Sequence, residues 1–122
     1  MIGIGLDLCE VARIETAISS PAFLQRYYTP EEQSYIASRG KMGAQSAAAM
    51  FAAKEAFLKA VSAGIGGGIT LQEIEILHDP GGAPRYHLTG AACERLHQMG
   101  GQTVHLSLTH ENGMAAAVAI AE

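Results

Sequence analysis

Apolar residues alternate with small or acidic ones along the first stretch of the chain. In residues 2–8 the apolar positions are Ile2, Ile4, Leu6 and Leu8, and the positions between them are Gly3, Gly5 and Asp7. This period of two predicts a β-strand with one buried face, because successive side chains point to opposite sides. We expect the four apolar side chains to face the core. The glycine side would then admit another backbone or a ligand at close range.

Helical segments follow this strand. Residues 10–18 predict one short helix, and a second short helix begins near Pro21. The sequence Thr-Pro-Glu-Glu at residues 29–32 predicts a helix start with Thr29 as the N-cap, and that helix ends at about Ser38. Residues 43–62 are rich in Ala and contain no Pro, which predicts the longest helix. The four glycines within residues 64–68 predict a loop.

The second half of the chain predicts two hairpins with a helix between them. Residues 70–78 and 85–88 predict strands joined by a turn at residues 79–82, and residues 89–99 predict a helix. Strands over residues 103–109 and 114–121 meet at Glu111-Asn112-Gly113, where Asn-Gly is a strong hairpin signal. We therefore expect an α+β fold in one domain, residues 1–122. A mostly antiparallel sheet would pack on one long helix, with shorter helices beside it.

Composition narrows the class of protein. The net charge is −4, which disfavours nucleic acid as a partner, since phosphates are neutralised by a basic surface. Apolar runs are too short for a membrane span. Cys9 and Cys93 form no paired pattern, as in proteins of a reducing cytoplasm. Asp7, Glu10 and Arg13 stand where a signal peptide needs apolar residues, so we expect a cytoplasmic protein.

Two carboxylates are candidates for chemistry. Glu55 and Lys59 lie one turn apart on one face of the long helix, which is also the spacing of an ordinary surface ion pair. Asp7 lies near the end of the first strand and could equally cap the next helix. Together, Asp7 and Glu55 could hold magnesium on a diphosphate substrate, since this ion takes one or two carboxylates plus phosphates and water. The spacing leaves these alternatives open.

A polar line follows one of the last strands. Val104, Leu106 and Leu108 are expected to face the core. On the other side, His105, Ser107 and Thr109 could bind a ligand or simply face water, as one side of an antiparallel sheet often does. His110 falls on the core side or in the turn.

Three ordered segments resemble the motifs of the 4′-phosphopantetheinyl transferases. They are Gly3-Ile4-Gly5-Leu6-Asp7 with Arg13, Phe51-Ala52-Ala53-Lys54-Glu55-Ala56 with Lys59-Ala60, and Ser107-Leu108-Thr109-His110. The resemblance covers nearly the whole chain, and the short length matches the holo-acyl-carrier-protein synthase branch of that family. It implies a magnesium-dependent enzyme that moves the phosphopantetheine group of coenzyme A onto a serine of an apo acyl-carrier protein. The by-product is adenosine 3′,5′-bisphosphate, and the activity supports fatty acid biosynthesis.

The resemblance also implies roles for individual residues. Asp7 and Glu55 match the metal-binding carboxylates. Lys59 matches the lysine that stabilises or protonates the departing phosphate oxygen. Glu55, or a water that it orients on the metal, would accept the serine proton. Contacts with coenzyme A are implied for Lys54, Lys59, Gly66, Gly82, Pro84, His105, Ser107 and Thr109. Carrier contacts are implied for Arg13 and Arg26, in a homotrimer with active sites between subunits.

The chain departs from relatives at two places where a basic residue is frequent. Met50 precedes the phenylalanine of the helical motif, and Gly66, Gly67 and Gly68 stand without a basic neighbour. Both changes predict weaker phosphate contacts. The first 38 residues carry only Arg13 and Arg26 as basic side chains, which predicts slow, salt-sensitive docking of an acidic carrier. A coenzyme A- or carrier-binding module without transfer activity, and a structural subunit of a larger synthase, are the alternatives.

Overall fold

Helices and strands follow one another in nearly the predicted order. The structure is a computed structural model, and it describes residues 1–63 and 67–122. The strands are β1 Gly3–Glu10, β2 Ile74–His78, β3 Pro84–Leu88, β4 Val104–Glu111 and β5 Met114–Ala121. The helices are α1 Val11–Ile18, α2 Pro21–Tyr27, α3 Pro30–Ser38, α4 Gly43–Ala60 and α5 Gly90–Gln98. One-turn 3-10 helices occupy Gly40–Met42 and Leu71–Glu73, so the strand predicted from residue 70 begins only at Ile74.

Local signals set several of these boundaries. The Thr29 hydroxyl accepts a hydrogen bond from the Glu32 amide, and the Glu32 carboxylate accepts one from the Thr29 amide, which completes a capping box at α3. In the β4–β5 hairpin, Asn112 and Gly113 both have positive φ, 51° and 74°. Positive φ at both central residues suits the twist of a tight hairpin. The predicted helix start and the predicted hairpin are both confirmed.

Two antiparallel sheets carry the strands. One has the strand order β1-β5-β4, and the other is the β2-β3 hairpin. In the larger sheet Leu6 pairs with Val118, which pairs in turn with Ser107 on β4. The alternation predicted for β4 is confirmed, since Val104, Leu106 and Leu108 are half-buried while His105, Ser107 and Thr109 are exposed. The α+β class with antiparallel sheets packed by a long helix is confirmed.

Strand β1 faces the opposite way from the prediction. Its glycine side packs on α4, and a Cβ atom added at Gly5 would lie 1.9 Å from the Ala56 carbonyl oxygen. Ile2, Ile4, Leu6 and Leu8 point outward and are 41–66% exposed in the single chain. The expectation that these side chains face the core is wrong, because only a strand face without side chains lets the α4 backbone come this close.

Helix α4 is the centre of the core. Two clusters of buried side chains form along this helix. One includes Ala48, Ala52 and Tyr28, and the other includes Phe57 and Val61. Alanines on α4 and on β5 allow the helix to lie flat on the sheet, as close packing of small side chains permits. Among helices in the described residues, none is long and apolar enough to cross a membrane.

Candidate active site

An ion pair joins β1 to α4 at the edge of this contact. The Lys59 ammonium donates to the Asp7 carboxylate at 2.9 Å and to the Leu6 carbonyl oxygen at 3.0 Å. The Lys59 side chain is 55% exposed, whereas that of Asp7 is only 18% exposed. Lys59 thus pairs with Asp7 rather than forming the i,i+4 surface pair with Glu55. Asp7 does not cap α1 either, since Glu10 holds the N-cap position.

Asp7 and Glu55 line the same open cleft, of about 460 Å³. The other lining residues are Leu8, Arg13, Ile14, Ala17, Phe23 and Phe51. Partial burial raises the pKa of the Glu55 carboxyl, and the neighbouring Asp7 carboxylate raises it further, against the opposing effect of Lys59 and Arg13. A cation in the cleft would stabilise the charged form of Glu55.

This donor set fits magnesium. Magnesium in proteins takes one or two carboxylates and completes its octahedral shell with phosphate oxygens and water. Asp7 and Glu55 supply those two carboxylates at one cleft. Within residues 1–63 and 67–122 no group of three or more His, Cys, Asp or Glu side chains could hold a metal by itself. Two carboxylates would leave the other positions around such an ion to phosphate oxygens and water.

A second, more apolar groove of about 380 Å³ adjoins the cleft and shares Phe23, Phe51 and Glu55 with it. Its remaining lining residues are Arg26, Tyr27, Leu58, Ile69, Thr70 and Leu71. The guanidinium of Arg26 lies 5.4 Å from the centre of the Tyr27 ring. An elongated, largely uncharged group could lie in this groove with one end at Glu55.

Lys54, in contrast, does not reach the cleft. Its side chain is fully buried, and its ammonium donates to the Glu32 carboxylate at 2.8 Å and to the carbonyl oxygens of Leu71 at 2.7 Å and Ile74 at 2.9 Å. An ammonium has three protons to donate, and all three are used. The expected contact between Lys54 and a phosphate disagrees with this geometry, because the ammonium is buried and has no proton left to donate.

The remaining predicted residues lie elsewhere on the single chain. His105, Ser107 and Thr109 are on the outer face of β4, where His105 Nε2 lies 2.9 Å from a Glu122 carboxylate oxygen. Gly82 and Pro84 belong to the turn and start of β3, with a φ of 92° at Gly82. Gly66 falls outside the described residues. One chain therefore brings together Asp7, Glu55, Lys59 and Arg13, with Arg26 in the adjoining groove.

Sequence reasoning missed the aromatic lining of the cleft. Phe51 carries a signal, since it precedes Glu55 by four residues and so shares its helix face. Phe23 and Tyr27 come from α2, and no pattern within that helix indicates that they face α4. Met50 is fully buried in the core, so this departure from relatives falls on packing rather than in the cleft.

The chain is similar to known proteins over nearly its whole length. The 4′-phosphopantetheinyl transferase superfamily matches residues 3–119. A holo-[acyl-carrier-protein] synthase of Treponema denticola is 43% identical over 100% of this chain and 98% of its own length, and one of Geotalea daltonii is 41% identical over 98% and 97%.

Solved structures show the same likeness. The crystal structure of holo-[acyl-carrier-protein] synthase from Neisseria meningitidis matches with a TM-score of 0.88 and 36% identity, over 100% of this chain and 98% of that one. The Helicobacter pylori holo-[acyl-carrier-protein] synthase in complex with coenzyme A matches with a TM-score of 0.81 and 32% identity, over 98% and 99%. Because its sequence and its structure are both similar to these proteins over the full length, the chain belongs to the 4′-phosphopantetheinyl transferase superfamily, among the holo-[acyl-carrier-protein] synthases.

Proposed function

We propose that this chain transfers the 4′-phosphopantetheine group of coenzyme A to a serine of an apo acyl-carrier protein and releases adenosine 3′,5′-bisphosphate. The observation that carries the proposal is the meeting of Asp7 and Glu55 at one cleft, with the Lys59 ammonium bound to Asp7. Full-length relatives share the synthase identity, and the Helicobacter pylori relative was crystallised with coenzyme A. Nothing in these relatives supports a binding module without transfer activity.

Positioning and charge stabilisation dominate this kind of phosphoryl chemistry. Asp7 and Glu55 would hold magnesium, which when bound neutralises the diphosphate of coenzyme A. The Lys59 ammonium donates two of its three protons to Asp7 and Leu6, and the third would stabilise negative charge on the departing phosphate oxygen. Glu55, or a water that it orients, would accept the proton of the serine hydroxyl.

The adjoining groove suits the pantetheine arm. That arm is long, flexible and uncharged, and the groove is lined mainly by aromatic and aliphatic side chains such as Tyr27, Leu58 and Leu71. A substrate lying there would bring its phosphate end to Glu55, which borders both the groove and the cleft. Binding energy from the arm would thus orient the reacting phosphorus.

We also propose a homotrimer with active sites between subunits. The outer face of the large sheet carries Ile4 and Leu6, which are 57% and 66% exposed, beside Val118 and Ile120 on the paired strand. A contiguous apolar sheet face of this kind marks an interface. His105 lies on this face, away from Glu55 of the same chain. In a trimer, His105, Ser107 and Thr109 of one subunit would therefore contact the coenzyme bound at Glu55 of the next subunit. A head-to-tail contact that closes forms such a ring.

Carrier docking is proposed at Arg13 and Arg26. Arg13 borders the cleft and Arg26 borders the groove, so an acidic carrier bound there would present its serine near Glu55.

Cytoplasmic location is proposed from the two free thiols, Cys9 and Cys93, which a reducing compartment maintains. Residues 1–122 are proposed to act as one transferase domain, since α4 contributes to both core clusters.

The decisive experiment is intact-mass spectrometry of an apo acyl-carrier protein incubated with this protein, coenzyme A and magnesium. We expect the carrier to gain one phosphopantetheine group. EDTA and Glu55→Ala should each abolish the gain, with the variant's circular dichroism unchanged. A folded wild-type protein that modifies none of several carriers, while calorimetry shows tight coenzyme A binding, would replace the transferase with the binding module.

Subunit sharing has its own test. Glu55→Ala and His105→Ala proteins, each inactive alone, are mixed, dissociated and reassembled. If Glu55 and His105 act from different subunits, about a quarter of the sites regain both side chains. Continued inactivity of the reassembled mixture, with light scattering showing a trimer, would place both residues in the same subunit's site.

A further inference from the structure

A buried ion pair lies beneath the groove wall. Glu32 and Lys54 are both almost fully buried, and one Glu32 oxygen accepts from the Lys54 ammonium at 2.8 Å and from the Thr29 amide at 2.8 Å. The other Glu32 oxygen accepts from the Ile76 amide at 2.8 Å. The pair therefore connects α3, α4 and β2 through charge-assisted hydrogen bonds, which are the stronger class.

The ammonium also holds the segment that forms the groove wall. Lys54 donates to the carbonyl oxygens of Leu71 and Ile74, at the two ends of the 3-10 turn. Ile69, Thr70 and Leu71 line the groove, as do Phe51 and Leu58 of α4. Lys54 immediately precedes Glu55 in α4, so its side chain links the helical turn that bears Glu55 to the 69–71 segment that lines the same groove.

Stability alone gives little reason for this arrangement. Buried ion pairs are often no more stabilising than well-packed apolar side chains of the same size, because desolvation offsets the attraction. What an apolar pair would not provide is a directional link to two backbone carbonyls. The link sets the distance between the 69–71 wall and α4, and with it the width of the groove.

We propose that Lys54 is a positioning residue that sets the groove wall against Glu55 and does not touch coenzyme A. This inference rests on the proposed function. It predicts that loss of Lys54 impairs use of the pantetheine arm while leaving binding of the nucleotide part unchanged. A lysine that contacts phosphate would give the opposite result.

The test uses Glu32→Leu/Lys54→Met, because Lys54→Met alone leaves an unpaired buried carboxylate and is expected to unfold. In the folded double variant, kcat/KM for coenzyme A should fall by roughly tenfold or more, mainly through KM. The dissociation constant of adenosine 3′,5′-bisphosphate, measured by calorimetry, should stay within about twofold of wild type. Hydrogen–deuterium exchange should quicken over residues 67–75 and stay unchanged over α4.

Tyr28→Phe is the matched control. It removes another buried hydrogen bond to α4, from the Tyr28 hydroxyl to the Ala47 carbonyl oxygen at 2.8 Å, without touching the wall. This variant should lose stability but keep the wild-type KM. If the double variant keeps the wild-type exchange rates and the wild-type KM, the Glu32–Lys54 pair only stabilises the fold and does not position the wall. Loss of nucleotide binding would make Lys54 a phosphate ligand. Hydrogen–deuterium exchange needs no catalytic turnover. It therefore tests whether Lys54 holds the wall even if the wild-type protein transfers no phosphopantetheine.

Discussion

Replacing Gly5 with Ala tests the contact on which the site is built. The added methyl group would lie 1.9 Å from the Ala56 carbonyl oxygen and 2.7 Å from the Ala60 amide nitrogen. Both neighbours are backbone atoms of α4, so no side chain can rotate away. Strand β1 would have to move by about 1.5 Å before the new carbon reaches an ordinary contact distance.

The expected effect has two parts. Overpacking against rigid atoms should destabilise the protein by about 3 kcal/mol, at the upper end for added methyl groups. For 122 residues this lowers the melting temperature by roughly 10 °C. Asp7 follows Gly5 by two residues in the same strand, so its carboxylate moves relative to Glu55. A displacement of about 1 Å at a reacting group can reduce turnover by about 100-fold.

Gly81→Ala provides the matched comparison, because a Cβ atom there meets nothing within 4 Å. Melting is followed by circular dichroism at one fixed protein concentration, since assembly shifts the midpoint, and transfer is followed by carrier mass. Gly81→Ala should behave as wild type in both. If Gly5→Ala melts within a degree or two of Gly81→Ala and transfers normally, the glycine face of β1 does not pack on α4 as described.

Further predictions concern the site itself. Because the pKa of Glu55 is raised in the folded protein, ionisation of this carboxyl opposes folding. At neutral pH, the Glu55→Gln variant should therefore unfold at a higher urea concentration than wild type. This difference in urea midpoint should vanish below the usual glutamate pKa, where the carboxyl is neutral in both states. Lys59→Met should lower kcat by about 100-fold without changing the circular dichroism spectrum, and an unchanged kcat would remove its role. Arg13→Ala should raise KM for the carrier in low salt, with a difference that shrinks as salt is added; a salt-independent difference would contradict charge-assisted docking. Leu6→Asp should give monomers by light scattering and no transfer, whereas a trimer would exclude the outer face as the interface.

Interactions between near neighbours in the chain could be predicted from the sequence. The Thr29 and Glu32 side chains satisfy amides within one turn, and Asn112-Gly113 adopts positive φ for steric reasons local to those residues. Spacing makes Asp7, Glu55 and Lys59 candidates and the family resemblance implies their roles; in the fold, Asp7 and Glu55 line one cleft and Lys59 binds Asp7.

Other features could not be predicted because they depend on competition between distant surfaces. Alternation in β1 indicates two faces but not which one faces inward, and that choice follows from the closeness of α4 to Gly5. Lys54 and Glu55 are adjacent in sequence, yet one is fully buried and the other borders the cleft.

Local signals in the sequence place the ends of most helices and turns, since caps, glycines and side-chain period act over a few residues. Packing between distant segments selects the buried face of β1, the pairing of Lys59 with Asp7 and the pairing of Lys54 with Glu32. The buried face and the two ion pairs depend on which atoms are buried against α4 and which stay exposed to water. Burial of that kind is a property of packed elements and has no signal in any one segment.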